Sequence, residues 1–242
     1  MEQAKIHFER GNHFKAKGKI ENSIAEYLKA IEINPDLAEV HNNLGILYKN
    51  MGKYWSAIEE YQKAIEINPH LDEAYDNLGI VYLDMGFYPK AISAFQRAVQ
   101  INPLNPRAHN NLGIAYDKKG NYEKALEEYR KAVEIDPNMG EAYYNLGVVY
   151  GVLGMFEKSI EHLKKTIHLG FADAQTHFNL ALSCKKMGLI DKAIETYKKA
   201  LEVDPNFLEA RYNLGMLYKN KGKKAEAMTE LEEFLRLSDH QI

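Results

Sequence analysis

Six asparagines spaced 34 residues apart are the polar side chains best placed to do chemistry in this 242-residue sequence. They are Asn43, Asn77, Asn111, Asn145, Asn179 and Asn213, and each precedes Leu-Gly except Asn179, which precedes Leu-Ala. A carboxamide carries two N–H donors and one carbonyl acceptor, so a row of them can bond both the N–H and the C=O of an extended peptide. Asparagine is a mediocre helix former, so helix propensity does not account for the row. We expect these side chains to point into one groove and to be largely free of intrachain partners.

The residue that precedes each asparagine divides the row into two halves. It is polar before the first three asparagines: Asn42, Asp76 and Asn110. It is aromatic before the last three: Tyr144, Phe178 and Tyr212. Aromatic residues are enriched among those that dominate binding energy, so we expect an aromatic strip, flanked by Lys185 and Lys219, to anchor a ligand. The alternative is that some of these rings pack on neighbouring helices.

The elements that must position these residues follow the same period. Counted from Ala4, seven repeats run without insertion or deletion. They span 4–37, 38–71, 72–105, 106–139, 140–173, 174–207 and 208–241. Only residues 1–3 and Ile242 are left over, so the sequence predicts one quasi-linear array, a single domain over 1–242.

Each repeat is predicted to form two helices, because glycine and proline recur at fixed positions within it. The fifteenth residue is glycine in every repeat: Gly18, Gly52, Gly86, Gly120, Gly154, Gly188 and Gly222. Glycine there can adopt the left-handed conformation that ends the first helix and turns the chain. The thirty-second residue is proline in five repeats, as at Pro35 and Pro69, and it ends the second helix because proline lacks an N–H.

The packing residues recur as well, with leucine, glycine and an aromatic residue at fixed helical offsets, as in Leu44, Gly45 and Tyr48. Together with the 34-residue period, this pattern resembles the tetratricopeptide repeat family over the whole chain. The resemblance implies an all-α, right-handed superhelical solenoid of seven helix-turn-helix repeats. It also implies that the first helices line a concave face and carry the asparagine row there.

The row is similar to the asparagine ladder of the superhelical repeat domain of O-linked N-acetylglucosamine transferase. The alternative is that asparagine before Leu-Gly is simply common in this family. Other members grip a C-terminal carboxylate with a clamp of basic residues and asparagines. Asn12 and Asn43 match that clamp, but Phe8 replaces its first lysine and Glu73 and Asn77 stand in the third repeat, so we do not expect it.

Composition and motifs exclude several classes of function. The net charge of −3 gives no basic footprint for nucleic acid, and no apolar run approaches the roughly 20 residues needed for direct membrane insertion. No phosphate-binding loop or nucleophile motif is found, so we expect no enzyme activity and no cofactor. Cys184 is the only cysteine, which excludes an intramolecular disulfide and is compatible with a cytoplasmic location.

Histidine recurs at the fourth position of four repeats: His7, His41, His109 and His177. Two of them that are two repeats apart would be separated by about 20 Å, given typical distances between packed helices. A zinc site does not close over that distance, so we expect packing histidines and no metal.

The junction between the fifth and sixth repeats departs from the pattern. Leu169, Gly170 and Phe171 replace the usual stop in which Asp or Asn precedes proline. We expect a locally repacked joint there, and a functional hinge is the alternative.

These features favour a non-enzymatic scaffold that binds a peptide or protein segment in its concave groove. The alternative is a self-assembling structural protein that forms homo-oligomers, or a platform on an organelle or a membrane-associated complex. Repeat arrays usually need a polar terminal helix, yet the sequence stops after the seventh repeat. Met228, Leu231 and Leu235 on the last helix are therefore expected to contact a second chain or to be covered by another element of the same chain.

Overall fold

The computed structural model describes residues 2–238, which form fourteen α-helices and no β-strand. The helices are α1 (Glu2–Ala16), α2 (Ile20–Ile33), α3 (Ala38–Asn50), α4 (Tyr54–Ile67), α5 (Asp72–Asp84), α6 (Tyr88–Ile101), α7 (Pro106–Lys118), α8 (Tyr122–Ile135), α9 (Gly140–Val152), α10 (Phe156–His168), α11 (Ala174–Lys186), α12 (Ile190–Val203), α13 (Leu208–Asn220) and α14 (Lys224–Ser238). Odd-numbered helices are the first and even-numbered helices the second of each repeat. The predicted all-α fold of seven helix-turn-helix repeats is confirmed.

The turn inside each repeat depends on its glycine, whose φ lies between 68° and 78° in all seven repeats. Only glycine adopts such angles without strain. After Gly52, for example, the Lys53 N–H donates to the Tyr48 carbonyl at 2.9 Å, which closes the end of α3. The role predicted for these glycines is therefore confirmed.

The two helices of a repeat pack through a glycine on the first and a large side chain on the second. A Cβ on Gly45 would lie 2.6 Å from the ring of Tyr61, and one on Gly79 would lie 2.6 Å from the ring of Phe95. Both rings are fully buried. The ring therefore lies directly on the backbone of the first helix, which fixes how closely the two helices approach.

The chain divides into two compact units, Met1–Glu128 and Tyr129–Ile242, and each has its own hydrophobic core. In the N-terminal unit a core cluster contains Tyr27, Ala30, Val40, Leu44 and Leu47. In the C-terminal unit a cluster includes Leu163, Tyr197 and Leu214. A single continuous array over 1–242 stays a prediction. Along residues 2–238, none of the helices is long and apolar enough to cross a lipid bilayer.

The joint between the fifth and sixth repeats is closed by local contacts. The helix α10 ends at His168, and Gly170 turns the chain with a φ of 91°. The ring of Phe171 lies against Gly140, where a Cβ would come within 2.0 Å of it. The Asp173 carboxylate then caps α11 by accepting the Thr176 N–H at 2.7 Å. These contacts agree with a repacked joint.

Candidate functional site

The asparagine row bridges consecutive first helices. Asn77 Nδ2 donates to Asn42 Oδ1 at 3.1 Å, and Asn111 Nδ2 donates to Asp76 Oδ1 at 2.9 Å. In the C-terminal unit, Asn179 Nδ2 donates to the Tyr144 hydroxyl at 3.0 Å. In each case the acceptor is the residue that precedes the asparagine of the preceding repeat.

In two repeats the position that holds Asn42, Asp76 or Tyr144 elsewhere is a phenylalanine, Phe8 or Phe178. The asparagine of the following repeat then donates to a different acceptor. In the repeat after Phe8, Asn43 Nδ2 donates to Asn12 Oδ1 at 3.1 Å. In the repeat after Phe178, Asn213 Nδ2 donates to the Glu209 carbonyl of its own helix at 2.8 Å. A phenyl ring offers no oxygen, so the amide must turn elsewhere.

At both Asn43 and Asn213 a lysine donates a hydrogen bond to the carbonyl oxygen of the asparagine side chain. Lys15 Nζ donates to Asn43 Oδ1 at 2.8 Å, and Lys185 Nζ donates to Asn213 Oδ1 at the same distance. Burial lowers the pKa of Lys15, against the opposing charge of Glu73. Lys185, predicted to flank a ligand, is thus already engaged within the chain, whereas Lys219 is exposed.

The expectation that the asparagine side chains are free of intrachain partners is wrong for five of the six: Asn43, Asn77, Asn111, Asn179 and Asn213. Polar groups that are removed from water take hydrogen-bond partners, and the neighbouring first helix supplies the nearest ones. Asn77 is also buried, at 9% exposure, which counts against its reaching a ligand. Each amide still has a second N–H, so peptide binding by the row stays a prediction.

The aromatic strip is only partly open to solvent. Tyr144 is half-buried, and burial raises the pKa of its hydroxyl, as does the charge of Asp173, while the hydrogen bond from Asn179 opposes them. Phe178 packs against Phe207, with ring centroids 5.0 Å apart. Tyr212 is 45% exposed and rests on Phe234. All three rings therefore contact neighbouring elements of the chain, as the alternative interpretation of the sequence expects. Tyr212 is the most exposed of the three.

A hollow in the C-terminal unit was missed from the sequence. It has a volume of about 370 Å³ and lies between α9, α10 and α11. Its apolar walls come from Val148 and Val152 on α9, Phe156 on α10 and Leu182 on α11. Asn179 and the exposed Lys186 also line it, so the hollow adjoins the asparagine row.

Two departures from the repeat pattern line this hollow. Gly151 stands where other repeats carry larger residues such as Lys49 or Leu83, and it leaves the space open. Ser159 replaces the usual alanine and its hydroxyl lies 2.8 Å from that of Ser183. Each departure is a signal that was present in the sequence. Predicting the hollow from these residues would require the distances between α9, α10 and α11, which the sequence does not provide.

The histidines of the N-terminal unit do more than pack. In three repeats the histidine Nδ1 lies 2.6 Å from a glutamate carboxylate on the second helix: His7 with Glu26, His41 with Glu60, and His109 with Glu128. Burial raises the pKa of Glu60, but the hydrogen bonds from His41 and Lys63 outweigh it, so the pKa lies below its ordinary value. No group of three potential metal ligands occurs among residues 2–238.

The last helix has an open apolar side. Met228 is 60% exposed and Leu235 is 58% exposed, and no described segment of the same chain covers them. Leu231 is half-buried, because its side chain lies on Gly215, where a Cβ would come within 2.8 Å. Contact with a second chain through this side stays a prediction.

The helix pairs, their glycine turns and the bridged first helices define a helical-repeat protein. Tetratricopeptide repeat models match residues 11–52, 38–71, 77–140, 128–161, 174–207 and 196–229. The chain belongs to the tetratricopeptide repeat family.

Solved structures agree with this assignment. The chain is 30% identical to MamA, with a TM-score of 0.62, over 66% of this chain and 94% of MamA. It is 25% identical to YrrB, described as a tetratricopeptide repeat protein with an unusual peptide-binding site, with a TM-score of 0.66 over 76% of this chain and 95% of YrrB. PilF of Pseudomonas aeruginosa, at 19% identity and a TM-score of 0.77 over 87% of this chain and 96% of PilF, shares the fold. No curated protein sequence matches the chain significantly.

Proposed function

We propose that the protein is a non-enzymatic scaffold that binds an extended peptide or protein segment along the first helices of its repeats. The observation that carries the proposal is the apolar hollow between α9, α10 and α11, which opens beside Asn179. YrrB, similar over 76% of this chain, is described as having a peptide-binding site, which supports the same role here. The remaining asparagines, the aromatic strip, Lys185 and Lys219 are the other groove residues of this proposal.

The hollow selects for one large apolar side chain in the bound segment. Its walls are valine, phenylalanine and leucine, and its volume of about 370 Å³ accommodates a side chain such as leucine or phenylalanine. Full burial of such a side chain contributes about 1.5–3 kcal/mol. Asn179 has a second N–H that can donate to the backbone of a bound peptide, and the exposed Lys186 favours an acidic residue nearby.

The test starts from a displayed library of random linear peptides, from which binders are selected on the purified protein. The matched variants are Val152→Asp and Val203→Asp. Both valines end a helix and are exposed, at 60% and 53%, but only Val152 lines the hollow. We expect selected peptides to share an apolar residue, and Val152→Asp to weaken their binding at least tenfold while Val203→Asp does not. Failure to select any peptide, or equal binding by both variants, would overturn the proposal.

A second candidate function is self-assembly into a homo-oligomer or a platform on a membrane-associated complex. The exposed Met228 and Leu235 on α14 favour it, since apolar patches of this kind tend to be covered by another molecule. Both candidate functions are compatible with a cytoplasmic location, which the low cysteine content of the sequence supports.

A further inference from the structure

One histidine of the C-terminal unit lacks the partner that its counterparts have. His177 occupies the position of His7, His41 and His109, each of which contacts a glutamate carboxylate at 2.6 Å. In the sixth repeat, Thr196 stands at the position that holds the glutamate in those three repeats. The Thr196 hydroxyl donates to the Lys192 carbonyl of its own helix at 2.7 Å and is not a partner of the histidine.

His177 is therefore a buried polar group with unused hydrogen-bonding capacity. The residue is only 9% exposed, and its Nδ1 is buried with no hydrogen-bond partner among residues 2–238. Such groups are rare in folded proteins, and each calls for a physical explanation such as an unseen ligand. Burial lowers the pKa of His177, with Lys199 lowering it further and Asp173 and Glu202 opposing. A neutral imidazole offers one N–H, which suits one carboxylate oxygen.

The histidine lines a cavity of about 340 Å³ between α10, α11 and α12. Three lysines line the same cavity: Lys164, Lys192 and Lys199. One carboxylate, Glu195, also lines it and is held by Lys199 at 2.7 Å. Because Lys199 is paired with Glu195, Lys164 and Lys192 are the lysines of the lining that remain for an anion, while the carboxylates of Asp173 and Glu202 act on His177 from outside the lining.

We propose that this cavity binds a carboxylate supplied from outside the chain, which takes the place of the glutamate that the sixth repeat lacks. One oxygen accepts the His177 Nδ1–H, as the glutamate oxygens contact the equivalent atom in three other repeats. Lys164 and Lys192 supply the compensating charge, and Ile167 and Leu180 contact the aliphatic part of the ligand. At about 340 Å³ the cavity has room for a carboxylate on an aliphatic chain, as in a short dicarboxylic acid or the side chain of a glutamate. The site lies on the side of α11 that faces α10 and α12, so it is separate from the proposed peptide groove and does not depend on it.

The test follows the imidazole of His177 by NMR in protein labelled with ¹⁵N-histidine, during titration with glutarate. Acetate and sulfate serve as comparison anions. We expect a saturable shift of the His177 nitrogen resonances with glutarate and a response at least tenfold weaker with acetate. No His177 response at millimolar glutarate, or equal responses to all three anions, would overturn the proposal.

A designed variant gives the sharper test. Thr196→Glu restores the glutamate of the other repeats, and we expect it to occupy His177 and to abolish glutarate binding. Thr229→Glu is the matched control, because Thr229 also donates to a carbonyl of its own helix, at 3.1 Å, but lies outside the cavity. Glutarate binding that persists unchanged in Thr196→Glu would contradict the proposal.

A second variant keeps the test valid if Thr196→Glu does not fold. The double change Lys164→Gln and Lys192→Gln alters two exposed side chains, and we expect it to weaken glutarate binding at least tenfold with little effect on the melting temperature. Unchanged affinity would contradict the charge argument. A short glutamate-containing peptide with blocked termini then identifies the source of the carboxylate: binding like glutarate indicates a partner side chain, and binding of glutarate alone indicates a free acid.

Discussion

At the scale of single residues, the side chain before each asparagine determines where the next amide donates. An oxygen on Asn42, Asp76 or Tyr144 draws the following asparagine across to it. A phenyl ring at the same position sends the amide to another acceptor. The same 34-residue spacing therefore supports different hydrogen bonds.

Asn77 and Asn42 should be energetically coupled, because they are both buried and bonded to each other at 3.1 Å. We expect the double-mutant cycle of Asn42→Ala and Asn77→Ala to give a coupling energy of about 0.5–1.5 kcal/mol in urea unfolding. The control pair is Asn77→Ala with Asn213→Ala, in the other unit, and should be additive. A coupling energy near zero between Asn42 and Asn77 would show that the bond is not formed in solution.

Acid should weaken the contact between His41 and Glu60. The pKa of Glu60 is lowered in the folded state, so its stabilising contribution is present above its ordinary value of 4.5 and is lost as the pH falls through the folded-state pKa. We expect the wild-type free energy of unfolding to fall more steeply between pH 5 and pH 3 than that of Glu60→Gln, as measured by urea unfolding. Glu59→Gln, an exposed change on the same helix, is the control. Parallel pH profiles for all three proteins would contradict this assignment.

At the scale of the helices, the sequence predicted the elements well because their signals are local. A glycine at a left-handed turn and a proline after a helix act within a few residues, so fourteen helices could be placed from spacing alone. The partners of Asn77 and His41 come from other helices, and the hollow at Gly151 requires three helices to be positioned first. The pairing of His41 with Glu60 had a usable signal, since glutamate recurs 19 residues after histidine in three repeats.

The turn glycines give a direct prediction at this scale. Gly52 has a φ of 72°, and no atom would contact an added Cβ, so a substitution there is opposed only by backbone strain. We expect Gly52→Ala to reduce the free energy of unfolding by about 1–2 kcal/mol and Gly52→Asn to reduce it less, because asparagine tolerates the left-handed region. Chemical denaturation followed by circular dichroism measures both. Equal losses would indicate that strain is not the cause.

At the scale of the whole molecule, peptide binding and self-assembly would use different surfaces of the protein. The proposed peptide would use the first helices and the hollow beside Asn179, whereas the proposed association of two chains would use the open side of α14. None of Met228, Leu231 and Leu235 belongs to the proposed groove or lines the hollow. Substitutions in one should therefore leave the other function intact, which allows the two candidate functions to be tested separately in one set of variants.

Self-association through α14 should be removed by two charges. Met228 and Leu235 are 60% and 58% exposed, so Met228→Glu with Leu235→Glu changes the surface without opening the core; Leu231 is left intact because it packs on Gly215. If this side binds a second chain, the wild type should gain mass with concentration in size-exclusion chromatography with light scattering, and the double variant should stay monomeric. Leu104→Glu, at a leucine that is 76% exposed in another repeat, is the control and should associate like the wild type. A wild-type protein that remains monomeric up to near-millimolar concentration would exclude self-assembly by this route, because an apolar contact strong enough to build an oligomer would be populated under those conditions.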